Sequence, residues 1–159
     1  MNTLKIFSIA FLTSVTFSFA QDVNQARKAV DAEQYEKAKS ILKSIVKANP
    51  IDGRANFILG NVYLIQTVTD SAKISFQRGL AGTEGSRLNY IGLGTIDLDN
   101  GNTVAAEANF ALALKDTKKK DVEELIAIGR AYTYSNKPNY KKAIEYLKLK
   151  YPNFIYHEE

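Results

Sequence analysis

Small and large apolar positions recur along the chain at an interval of 34 residues. Ala38, Ala72 and Ala106 fall in step, and Leu42, Phe76 and Phe110 each follow four residues later, one helical turn further along the same face. Gly60 and Gly94 keep the same interval, each preceded by a leucine, Leu59 and Leu93. A period of this size marks stacked supersecondary units, each too small to bury its apolar face alone. The small residues let neighbouring helix backbones approach, and Tyr63, Phe76 and Phe110 fill the remaining space. Thr69 or Asp70, Asn102 or Thr103, and Asn139 are placed to cap helix starts. Gly53, Gly85 and Gly101 fall in turns, and Lys118-Lys119-Lys120 lies between the third and fourth units. The pattern predicts eight helices with short connections and no strands.

On these residues the chain resembles the tetratricopeptide repeat family, whose unit is two antiparallel helices with a small residue on each at their closest approach. The resemblance spans Asp22 to Pro152. In the second unit Leu59-Gly60 and Tyr63 match the first helix, and Ala72 and Phe76 the second. In the third, Leu93-Gly94 is followed by Asp97 where tyrosine is usual, then by Gly101, Ala106, Phe110 and Ala113. The first has Tyr35, Ala38, Leu42 and Asn49-Pro50, with Ala26 and Ala29 where glycine and tyrosine are expected. The fourth shows Gly129, Tyr132, Tyr140, Ala143, Leu147 and Pro152, with two extra residues around Asn136-Lys137-Pro138, at the turn where an insertion disturbs least. The implied fold is all-α: a right-handed superhelical solenoid of about four helix-turn-helix repeats, at 21–52, 53–86, 87–121 and 122–152, followed by a tail at 153–159.

Ahead of the repeats, Met1 to Lys5 gives a short positive start, Ile6 to Phe17 an apolar stretch, and Ser18-Phe19-Ala20 a small-x-small ending. The stretch is shorter than a membrane span of roughly 20 apolar residues and is interrupted by Ser8, Thr13, Ser14 and Thr16. It reads as a signal peptide at 1–20, cleaved after Ala20, with no membrane span once it is removed. With the family resemblance, that places the expected site of action in the bacterial periplasm or cell envelope.

Composition removes several kinds of chemistry. The net charge of +4 includes Lys5 of the leader and is dispersed among many acids, too weak for a nucleic-acid footprint. Lys118-Lys119-Lys120 is flanked by Asp116 and Asp121 and reads as a solvated turn. The chain has no cysteine, which excludes disulfides, thiolate metal sites and thiol nucleophiles. Its one histidine, His157, lies third from the end, a poor foundation for a catalytic triad or metal site. Gly92-Leu93-Gly94 lacks the third glycine of a dinucleotide fingerprint, which would fall at Asp97, and follows no strand, so helix packing is the better reading. No catalytic residue, metal ligand or cofactor is expected.

What the resemblance implies instead is a concave surface lined by first-helix side chains. Its expected members are Val23, Arg27, Val30, Arg54, Phe57, Asn61, Leu64, Leu88, Ile91, Thr95, Leu98, Ile126, Arg130 and Thr133. They describe a groove with an apolar floor and arginines near both ends, suited to a partner peptide or amphipathic helix. The alternative for each aliphatic member is packing between adjacent first helices, and both readings stay open at this point. At the positions where some family members hold a chaperone tail's terminal carboxylate stand Val23, Arg27, Ile58, Leu88 and Gly92, of which only Arg27 binds anions, so that role is not expected. The functional expectation is a non-catalytic protein–protein interaction scaffold of the cell envelope. Its rivals are an accessory substrate-binding component of an envelope enzyme system and a homotypic assembly. Tyr151, Phe154, Ile155 and Tyr156 suggest self-association through the C-terminal end.

Overall fold

The helices of this chain leave their first N–H groups without partners inside the helix, as all helices do. In the computed structural model, which describes residues 22–115 and 122–150, these are α1 (22–31), α2 (Tyr35–Ala48), α3 (Gly53–Ile65) and α4 (Thr69–Gly79). They are followed by α5 (Ser86–Asp99), α6 (Thr103–Leu114), α7 (Val122–Tyr134) and α8 (Tyr140–Lys150). Every regular element among the described residues is a helix. The expected leader at 1–20, Lys118-Lys119-Lys120, His157 and the tail at 153–159 lie outside the described residues.

The caps agree with expectation at two of three second helices. Asn102 Oδ1 accepts from the Ala105 N–H at 3.3 Å ahead of α6, and Asn139 Oδ1 from the Lys142 N–H at 3.0 Å ahead of α8. At α4 the expectation fails. Thr69 is already helical, and Val68 stands at the N-cap position with no side-chain bond. The position equivalent to Asn102 holds a valine, which has no side-chain acceptor, and the Val68 N–H is bonded to the Tyr63 carbonyl at 2.9 Å. The same closure occurs from Gln34 to Ala29 at 2.8 Å and from Asn102 to Asp97 at 2.8 Å. Each closure sits beside one residue with positive φ: Glu33 at 56°, Thr67 at 59° and Gly101 at 77°. These three are 34 residues apart, so the backbone turn itself repeats, although only the third copy has the glycine that such a conformation favours. In the fourth hairpin the extra residues widen the turn, and Asn139 N–H reaches back to the Tyr132 carbonyl at 2.9 Å.

The helices pack as sequential pairs, α1 with α2, α3 with α4, α5 with α6 and α7 with α8. The first helices also lie side by side, α3 against α5 and α5 against α7. Ala38, Ala72 and Ala106 are fully buried, as are Leu42, Phe76 and Phe110. Ala26 and Ala29, which depart from the family pattern, are buried with them, beside Val23 of the same helix. Asp97, in the usual tyrosine position, accepts a hydrogen bond from Asn109 Nδ2 at 2.8 Å and ties α5 to α6 by a polar contact instead.

One interlock joins successive pairs. A methyl group on Gly60 of α3 would lie 2.3 Å from Phe76 Cε1, and one on Gly92 of α5 would lie 2.3 Å from the same atom. The ring of Phe76 therefore sits in two glycine notches, one in its own hairpin and one in the next. Gly92-Leu93-Gly94 is thus a packing motif, with Gly94 receiving the Phe110 ring in the same manner.

Candidate functional site

The expected groove residues divide by burial. Leu88, Ile91 and Leu98 are only 1%, 2% and 7% exposed and belong to a core shared with Ile128 and Ala131. Of the two readings that the sequence left open, packing between first helices describes these three. Val23 is likewise buried, and Val30 packs partly buried beside it. Phe57, Asn61 and Leu64, on one face of α3, keep part of their surface accessible, as do Thr95 of α5 and Ile126 of α7. Phe57 touches all three apolar clusters, and its ring lies 6.2 Å from that of Phe76. Thr95 and Thr133 donate their hydroxyls to the carbonyls of Ile91 and Gly129, each at 2.9 Å, a local satisfaction that leaves their methyl groups free to pack.

Two of the expected arginines are paired within the chain. Arg27 and Arg54 converge on one carboxylate, that of Glu123 at the start of α7. Arg27 Nη2 donates to Oε1 at 2.8 Å, while Arg54 takes both oxygens, Nη1 to Oε1 at 2.9 Å and Nη2 to Oε2 at 3.0 Å. This contact spans 96 residues and brings the first, second and fourth hairpins together. Burial opposes ionisation of Glu123, but the hydrogen bonds from Arg54 and Arg27 outweigh it and hold the carboxyl below the usual carboxylate range. Beside this group, Arg87 of α5 reaches Glu124 at 3.4 Å, and Arg54 Nε lies 3.8 Å from Glu84. Arg130 is exposed.

Against Arg54 opens a pocket of about 500 Å³. It runs between the start of α1, the α2–α3 turn and the loop before α5, and Asn24, Asp52, Thr83 and Glu84 line it together with Arg54.

Two polar features escaped the sequence. Glu107 of α6 accepts from the hydroxyls of Tyr132 and Tyr146, each at 2.5 Å, and Lys142 Nζ stands 3.7 Å away. The two tyrosine rings stack 6.0 Å apart, and Phe110 meets both edge-on. Burial pushes both phenols up and the Glu107 carboxylate pushes them further, while their hydrogen bonds and Lys142 outweigh burial at Glu107 and hold it low. The second feature is a pair of buried asparagines that pin loops. Asn56 donates to the carbonyls of Pro50 and Asp52, and Asn89 to those of Gly53 and Gly85.

Among the described residues no group of three or more His, Cys, Asp or Glu side chains could hold a metal ion, and no helix is long and apolar enough to cross a membrane. No protein-family model matches the chain, and no curated protein matches it.

Proposed function

We propose that the chain is a tetratricopeptide-like, right-handed solenoid of four hairpins that serves as a non-catalytic interaction scaffold of the bacterial cell envelope. It holds a partner peptide or helix against its first helices. The observation that carries this reading is the row of first helices, α3 beside α5 beside α7, with a partly accessible strip of Phe57, Asn61, Leu64, Thr95 and Ile126 along it. Such a strip supplies apolar contact area with interspersed hydrogen-bonding groups, the surface that an amphipathic segment fits. The repetition of one backbone turn at Glu33, Thr67 and Gly101 supports the repeat assignment independently of side-chain pattern.

The test is capture of envelope proteins on the immobilised chain, followed by titration of a retained partner. Leu64→Asp combined with Ile126→Asp should weaken that binding by about tenfold or more, since each change forfeits the burial of an aliphatic side chain. Lys43→Asp, on the exposed face of α2, should leave it unchanged. Far-UV circular dichroism of all three proteins must show the same helicity. Equal binding by the strip variant, with loss in Lys43→Asp, would move the site to the other face. For the envelope location, mass spectrometry of the native protein should find Gln21 as its first residue, and an intact Met1 in the envelope fraction would overturn export by cleavage after Ala20.

A further inference from the structure

The convergence on Glu123 is a ligand geometry filled from within. Two guanidinium groups from different hairpins grip one carboxylate, one of them by the parallel two-bond fork that Arg forms with carboxylates in general. We propose that Arg27 and Arg54 are a binding site for a carboxylate-bearing partner peptide, and that Glu123 is its built-in occupant, exchanged for the partner's acidic side chain on binding. This rests on the scaffold reading above and names the partner's chemistry.

Several observations favour exchange over a permanent structural bridge. The side chains of Arg27 and Glu123 remain 41% and 44% exposed and that of Arg54 28%, so an incoming carboxylate can reach them from solvent. Ion pairs this exposed are weak and screened, and their partners can change. The release of Glu123 does not require α7 to leave. The helix stays packed on α5 and α8, and its next residue, the buried Glu124, keeps its contact with Arg87. The pocket of about 500 Å³ reaches Arg54 from the side of α1 and offers room for the peptide flanking the acidic group. Because the internal carboxylate is tethered, it competes at high effective concentration, so the site favours partners with several acidic groups over free carboxylates.

The test uses a synthetic hexaglutamate peptide and the purified chain, by calorimetry at low salt. Glu123→Gln should bind the peptide about fivefold more tightly than the parent chain, the scale at which an exposed pair competes. The gain should vanish in Glu123→Gln combined with Arg54→Gln, and in Glu123→Gln combined with Arg27→Gln. Asp70→Asn changes the net charge equally at an exposed position in the first turn of α4, outside the group around Glu123, and should give no gain. Equal affinity of the parent and Glu123→Gln, or a gain that survives loss of Arg54 or also appears in Asp70→Asn, would overturn the proposal. The peptide assay needs no native partner. Its failure beside intact capture on the α3–α7 strip sinks this inference alone, whereas peptide binding as expected beside failed capture removes the strip as the docking surface and leaves the carboxylate site standing.

Discussion

Phe76→Ala should lower stability by about 3–5 kcal/mol, the range for deleting a fully buried aromatic side chain. The ring has no exposed surface and lies between α3, α4 and α5, so its loss leaves a void that one hairpin cannot close by itself. The sharper expectation concerns its neighbour. Gly92→Ala gains about 1 kcal/mol of helix propensity. It also sets a methyl group 2.3 to 2.5 Å from three atoms of the Phe76 ring. Overpacking of that kind costs about 1–3 kcal/mol, and with buried structure on both sides of the ring the cost should win. With Phe76 already replaced by alanine, the methyl group enters vacated space and Gly92→Ala should become neutral or stabilising. Denaturant midpoints of the two single variants and the double variant give the coupling directly. Additive costs would mean that the ring is not held in the second notch.

Glu107→Leu should cost about 2–6 kcal/mol, because each of the two tyrosine hydroxyls left without its acceptor loses about 1–3 kcal/mol. Tyr132 is buried and Tyr146 partly so, and among the described residues neither hydroxyl has another hydrogen-bond partner to turn to. The same trio limits stability at both ends of the pH scale. Glu107 is held below its unfolded value, so its contribution is complete above about pH 4.3 and is lost as pH falls through the lowered folded value. Glu123 acts in the same direction over the same acid range. Tyr132 and Tyr146 are raised, so their contribution is complete below about pH 10 and is lost as pH rises beyond it. Thermal midpoints measured against pH should show a plateau with both limbs. Glu107→Gln should flatten part of the acid limb and Tyr146→Phe part of the alkaline one. An acid limb unchanged by Glu107→Gln would show that this carboxylate is not perturbed.

The fold was legible because its strongest constraint is periodic. Ala72 and Ala106 must be small and Phe76 and Phe110 must be large wherever two helices cross closely, so spacing alone exposes them. Inside the hairpins the turn was legible only at Gly101; between hairpins Gly85 lies in a turn as expected, whereas Gly53 opens α3 instead. Glu33 and Thr67 adopt the same left-handed conformation without a glycine to announce it, and the repeated backbone closure holds them there. The accessible strip along the first helices was half legible. A first helix contacts its own partner and also the next first helix, and periodicity does not reveal how much of each side chain the second contact consumes. Leu88, Ile91 and Leu98 are consumed entirely, whereas Leu64 and Ile126 are not. The grip of Arg27 and Arg54 on Glu123 was invisible, because it depends on how hairpins far apart in sequence are brought round to meet.

The two notches around Phe76 also bear on how such an array can be cut and rejoined. The period suggests that residues 53–86 form an exchangeable cassette, free to be duplicated or transplanted. The ring that this cassette carries is completed by Gly92, which lies beyond its border. A copy inserted before a hairpin with any side chain at the equivalent position would meet a blocked socket. The true module of inheritance therefore straddles the visible boundary, and a graft should carry residues 53–92 at least to keep its joint.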